Sequence, residues 1–346
     1  MATGLREIVV VGAGVAGVRA AETLRQKGFD GALTIVGDER QPPYHRPPLS
    51  KKLLSGEIHR AGIDMAPQFD LDATVFRGAS AVGLDPKSCT VRVQDEDREL
   101  SLRYDGLVIA SGAVPREWPG GPVPAGVMML RTVDDCLAIR KRLATNPRVA
   151  VVGGGFIGVE VAATCRALGL KVTLIQRGSN PLLSSLGAEL APHWAELHRR
   201  HGVDLRLGVG VEKFVGKRKV KAVRLTDGTR VAADLVVIGL GVTPATDWLE
   251  GSGVRIDDGV LCDATGAAEG VRGVVAGGTG RPAGRGACDR RRPDTGDVRP
   301  RGGRARTRRR RFGCSGTHGV GEAGRCGRRR TRRGRAHDHR NHRIVG

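Results

Sequence analysis

The sequence predicts an α/β chain of two doubly wound, Rossmann-like nucleotide-binding units followed by an arginine-rich segment with no core of its own. Three observations lead there. The spacing G-x-G-x-x-G occurs twice, at Gly12, Gly14 and Gly17 and again at Gly153, Gly155 and Gly158. Each set follows a short apolar run and opens a helical pattern, as the dinucleotide fingerprint requires. Beyond about residue 278, apolar residues no longer recur at either period, 2 or 3.6.

The first unit spans residues 6–38, REIVVVGAGVAGVRAAETLRQKGFDGALTIVGD. Ile8 to Val11 reads as a buried strand. Gly12 then allows the tight turn, Gly14 lets a pyrophosphate approach bare backbone, and Gly17 lets the helix pack close to the strand. Free N–H groups and the helix dipole favour an anion at the helix start. Asp38 or Glu39, at the end of the second strand, is placed to accept from ribose hydroxyls.

Residues 40–56, RQPPYHRPPLSKKLLSG, follow. Prolines 42, 43, 47 and 48 forbid regular helix and stiffen the backbone, so Arg46, Ser50 and Lys51 are presented from a defined loop that leads into a short helix. The fingerprint followed by VGDERQPPYHRPPLSK resembles the FAD-dependent ferredoxin and rubredoxin reductases that serve bacterial oxygenases. YDGLVIASGAVPR (104–116) is similar to that family's exit from the FAD domain, and LRTVDDCLAIRKRL (130–143) to its entry into a second nucleotide domain. The resemblance covers roughly residues 5–277. At residue level it implies FAD contacts by Gly12, Gly14, Gly17, Asp38, Glu39, Arg46, Lys51, Val82 and Arg131. A positive charge at Lys51 would stabilise the anionic reduced flavin.

The second fingerprint lies in RVAVVGGGFIGVEVAATCRALGLKVTLIQR (148–177). Strand Val149–Val152, a helix from Ile157 to Leu168 and a strand from Lys171 to Ile175 repeat the first unit's order, so a second dinucleotide is expected. The resemblance places Glu160 beside flavin and nicotinamide and makes it, with Lys51, a catalytic candidate. The strand ends on Gln176 and Arg177, where an acid would hold the ribose of NAD. Gln176 can accept a ribose hydrogen bond, whereas Arg177 suits the 2′-phosphate of NADPH. The all-glycine fingerprint favours NADH; the signals conflict, and the balance falls to NADH by a small margin.

Segments within 203–240 read as short strands, with a turn at Asp227-Gly228. LVVIGLGVTPATDWLE (235–250) resembles the family's return crossing, and residues 259–278 its strand pair before an Ala-Gly-Asp turn. Here Gly277-Gly278-Thr279-Gly280 stands in its place.

Residues 278–346 hold 22 Arg, no Lys and 5 acids, which is +17 of the chain's +21. The charge therefore describes this segment and not the body. Three explanations are open. A basic nucleic-acid-binding arm is opposed by the near absence of stacking aromatics, Phe312 alone. A solvated disordered extension is the second. The third, and favoured, is a shifted reading frame, because the break falls inside a strand-turn and the segment is rich in GC-coded residues.

The seven cysteines show no C-x-x-C pair and no metal-ligand spacing. That argues against disulfide-reducing relatives, which need a dithiol near the flavin. With neither a leader pattern nor a long apolar run, a cytoplasmic protein is expected. The expectation is an FAD domain of residues 1–115 plus 245–277, an NAD(P) domain of 116–244 and a disordered tail of 278–346. The implied activity is electron transfer from NAD(P)H through FAD to a ferredoxin or rubredoxin. A flavin-free, inactive NAD(P)-binding remnant and a basic-tailed nucleic-acid binder are the rival readings.

Overall fold

The computed structural model describes residues 4–278 and 280–282. Strand β1 (Glu7–Val11) is buried at its last four positions, and α1 (Val15–Gln26) and β2 (Ala32–Gly37) follow it. The Pro-rich loop forms a 3-10 turn, Pro47–Ser50, and runs into the short α2 (Lys52–Ser55). Strand β3 (Ala73–Arg77) precedes an antiparallel meander of β4 (Ala79–Asp85), β5 (Thr90–Asp95) and β6 (Arg98–Arg103), and β7 (Gly106–Ile109) returns to the first sheet.

After β8 (Ala113–Pro115) and β9 (Val127–Met129), the second unit runs through α3 (Val133–Leu143), β10 (Val149–Val152), α4 (Phe156–Ala167), β11 (Val172–Gln176) and α5 (Leu183–Arg200). Strand β12 (Asp204–Leu207) follows, then the meander β13 (Val211–Val215), β14 (Ala222–Leu225) and β15 (Arg230–Ala232), and then β16 (Leu235–Ile238). The chain crosses back on β17 (Val242–Pro244), which pairs antiparallel with β8, and ends in β18 (Val260–Cys262), β19 (Val274–Ala276) and β20 (Gly280–Pro282).

Two parallel five-stranded sheets result, ordered β3-β2-β1-β7-β19 and β12-β11-β10-β16-β9. The fingerprint strand is central in both. Strand order therefore reverses beside β1 and beside β10, and ligands of open α/β sheets bind in the crevice at such a reversal, beyond the carboxyl ends of the strands. All four residues of β10 are buried, as expected for a sheet covered on both faces.

The Pro-rich loop does not float over the first unit. Tyr44, Leu49, Leu53, Leu54 and Ile63 share one apolar core with Cys136 and Ile139 of α3 and Ala162 and Cys165 of α4. Burying those side chains fixes the loop against α3 and α4 of the second unit.

Two features go beyond the sequence reading. The meander β4–β6 was not foreseen. Order also continues past residue 278: the backbone of β20 pairs in parallel with β18, in the register Val260↔Gly280 to Cys262↔Pro282. Gly-Arg-Pro has no strand pattern of its own, and only the tertiary partner makes it one. The remainder of the arginine-rich segment, with the expected disorder and the frame shift, lies outside the described residues. Among the described residues, no helix is long and apolar enough to cross a membrane.

Candidate functional site

The three glycines of each fingerprint are required for different reasons. Gly12 has φ +116°, and a Cβ there would lie 2.0 Å from the Ala110 carbonyl oxygen. A Cβ on Gly17 would lie 1.8 Å from the Gly12 carbonyl oxygen. A Cβ on Gly14 would meet nothing beyond its own chain neighbours and helix within 4 Å. The second set repeats the pattern: Gly153 meets Gly239 O at 2.1 Å, Gly158 meets Gly153 O at 1.9 Å, and Gly155 faces open space. The outer glycines are thus dictated by protein packing, and the middle ones leave room for a ligand. Gly14 and Gly155 are the N-caps of α1 and α4. Neither helix has a side-chain cap or an acid in its first turn, which leaves N–H groups for an anion.

A recess of about 120 Å³ beside the first fingerprint is lined by Gly12, Asp38, Ala79, Ser80, Ala81, Ser111 and Trp248 among others. A smaller one is lined by Gly14, Asp38, Glu39, Tyr44 and Arg46 among others. Asp38 is exposed and lines both. Glu39 is already engaged: the Tyr44 hydroxyl donates to Oε2 at 2.6 Å and Arg46 Nη2 donates to Oε1 at 2.6 Å. Val82 sits at the irregularity between Ala81 and Gly83 in β4, 39 % exposed, one residue beyond the recess wall. The larger opening along Lys213–Lys221, about 840 Å³, holds none of the expected residues.

Arg46 Nη1 also donates to the Arg131 carbonyl oxygen at 3.0 Å. Burial, and next the Arg46 guanidinium, lower the pKa of Arg131 from its ordinary value. The Arg131 guanidinium approaches Gly112, with Nη2 3.8 Å from where a Cβ would stand. The segment is held by a capping box: Thr132 accepts from Asp135 N–H, and the Asp135 carboxylate accepts from Thr132 N–H at 2.8 Å. Tyr44 completes the link by accepting from Val133 N–H at 3.0 Å.

Lys51 and Glu160 come from different units and meet. Lys51 Nζ lies 2.6 Å from Glu160 Oε2, and Ser50 Oγ donates to the same oxygen at 2.5 Å. Thr164, one turn further along α4, donates its hydroxyl to the Ser50 carbonyl at 2.8 Å, and the Cys136 thiol donates to the Leu49 carbonyl at 3.1 Å. The loop is therefore tied to α3 and to α4 by the two residues just before Lys51.

On the second fingerprint, Gln176 Oε1 accepts the Gly154 N–H at 2.8 Å. Arg177 is exposed and has no hydrogen-bond or ion-pair partner among the described residues. Sequence reasoning missed Tyr44, which ties Glu39, Arg46 and α3 together; a lone tyrosine within a proline-rich polar loop was the available signal. It also assigned no part to Ser111 or Trp248.

A family model described as pyridine nucleotide-disulphide oxidoreductase matches residues 6–294. The chain belongs to this family. The match runs past residue 277, where the sequence reading ended its resemblance. Among curated members, rhodocoxin reductase of Rhodococcus erythropolis is 35% identical over 262 residues, covering 74% of this chain and 60% of that protein. Putidaredoxin reductase of Pseudomonas putida is 34% identical over 268 residues, covering 73% and 62%. Among solved structures, the covalent putidaredoxin reductase–putidaredoxin complex matches with a TM-score of 0.75 and 31% identity, covering 81% of this chain and 69% of the matched one. The chain thus spans a little under two thirds of the length of these curated oxidoreductases.

Proposed function

We propose that the chain is a flavoprotein oxidoreductase that passes electrons from NAD(P)H through FAD to a ferredoxin or rubredoxin. The reading assigns residues 1–115 and 245–277 to FAD and residues 116–244 to the nicotinamide dinucleotide. The observation that carries it is the Lys51–Glu160 contact, which brings the loop of one dinucleotide fingerprint onto the helix of the other. Two dinucleotides must meet for electrons to pass between them, and this contact supports a meeting place beside it. Names of similar proteins support the reading: one is a ferredoxin–NAD(+) reductase component of a p-cumate 2,3-dioxygenase system, 36% identical over 266 residues.

The residues fit FAD. Gly14 leaves open space at the start of α1, and Asp38 lines the adjoining recess with Gly12. Arg46, paired with Glu39, and Arg131, which feels both Glu39 and Asp38, bring two guanidinium donors to one edge of the site, a geometry suited to a diphosphate. Gly155 offers the same open approach to the second dinucleotide.

FAD, when bound, would supply the redox chemistry between a two-electron nicotinamide donor and a one-electron acceptor. The chain's own residues position and polarise. Lys51 would lend a positive charge to a reduced flavin bound beside it, and Ser50 and Lys51 together hold the Glu160 carboxylate in one orientation. No proton relay is required of the protein for hydride transfer.

Titrating the purified chain with FAD and following quenching of flavin fluorescence tests the reading. Saturation at one FAD per chain, competed by excess ADP, is the expected result; no quenching at any concentration rejects it.

A further inference from the structure

We infer that the second fingerprint selects a dinucleotide carrying a 2′-phosphate, so that NADPH binds in preference to NADH, with Arg177 as the selecting residue. The inference rests on the nucleotide reading above and decides what that reading leaves open. It begins at the end of β11, where a carboxylate would accept hydrogen bonds from the ribose hydroxyls of NADH. This chain has Gln176 there, and its Oε1 accepts the Gly154 N–H at 2.8 Å. Its Nε2, a donor only, makes no hydrogen bond among the described residues and lies 3.1 Å from where a Cβ of Gly178 would stand. An amide presenting its donor suits a phosphate oxygen and lacks the negative charge that would repel one.

Arg177 follows directly. It is exposed and without a partner among the described residues, with Nε 3.6 Å from the Cβ position of Gly210. Three arginines of this unit, by contrast, are paired with acids. Arg206 pairs with Asp204, Arg224 with Glu212, and Arg148 with Asp234. A guanidinium with no acid to neutralise it, next to a strand end with no acid, is matched by a doubly charged, three-oxygen group.

The feature that favours NADH in the sequence loses its force in three dimensions. A glycine in third place is read as an NADH signal, yet a Cβ on Gly158 would fall 1.9 Å from Gly153 O. The first fingerprint shows the same contact, Gly17 to Gly12 O at 1.8 Å. Packing of helix on turn dictates the glycine in both, so it carries no information about the donor.

Calorimetric titration of the full chain with NADP+, NAD+, adenosine 2′,5′-bisphosphate and AMP tests this. NADP+ and the bisphosphate are expected to bind about tenfold more tightly than their partners lacking the 2′-phosphate, a preference that shrinks as salt is raised. Arg177→Gln should bring the NADP+ to NAD+ affinity ratio down to about one, and Arg177→Lys should restore part of it. Tighter binding of NAD+, or a ratio unmoved by Arg177→Gln, overturns the inference and leaves the nucleotide site standing. If no dinucleotide binds, the proposed function falls together with the inference.

Discussion

Lys51 Nζ and Glu160 Oε2 lie 2.6 Å apart, and the pair joins the loop after the first fingerprint to the helix that opens the second. The two side chains are 46% and 29% exposed, so solvent screens the attraction and its worth to stability is below about 1 kcal/mol. Its consequence is placement.

Lys51→Met should therefore leave the melting temperature nearly unchanged. Stopped-flow measurement of flavin reduction by NAD(P)H should show a rate at least about tenfold lower, since on the proposed function Lys51 supplies a charge beside the flavin. An equal loss from Lys52→Met, the exposed neighbour, would show that the effect is not specific to the pair.

The glycines separate folding from binding. Gly17→Ala drives a Cβ into the Gly12 carbonyl and should cost upwards of about 3 kcal/mol in urea unfolding. Gly14→Ala meets nothing within 4 Å and should cost at most about 1 kcal/mol as a poorer N-cap. On the proposed function its FAD affinity should fall steeply, because the methyl group enters the open space at the start of α1.

Tyr44→Phe removes the donor to Glu39 and leaves the buried Val133 N–H without its acceptor. The expected cost is about 1–3 kcal/mol in urea unfolding. FAD affinity should fall as well, because Glu39 and Arg46 lose a common anchor.

His198 gives the acid limb of stability. It is buried in α5, and burial, followed by the charge of His201, lowers the pKa of its imidazole from the ordinary value. The unfolded chain takes up that proton near pH 6.5 and the folded chain only at lower pH. The contribution is thus whole above about pH 6.5 and is lost as pH falls through that value towards the folded-state pKa. His198→Leu should reduce the difference between urea midpoints measured at about pH 7.5 and about pH 5.5.

Both nucleotide units were legible in the sequence because each writes its own pattern: an apolar run, three spaced glycines, an amphipathic helix and a second strand. Val149–Val152 is observed at the expected bounds, and α4 begins one residue earlier than expected. The meander was equally visible in principle, since Thr90–Asp95 alternates buried and exposed positions, but its short strands carry few large apolar residues. What sequence cannot encode locally is which long-range partner a side chain takes. That Gln176 spends its carbonyl on Gly154, that Glu39 is gripped by Tyr44 and Arg46, and that Gly280–Pro282 becomes a strand on β18 all depend on tertiary approach.

The central claim is that two dinucleotides meet at the Lys51–Glu160 contact. Anaerobic visible spectroscopy of the FAD-loaded chain during addition of NADPH, and separately of NADH, tests it most directly. The account predicts a flavin band that bleaches with a reduced nicotinamide, and with NADPH at the lower concentration. A chain that binds FAD and keeps its colour with both donors, or that never takes up flavin, contradicts it.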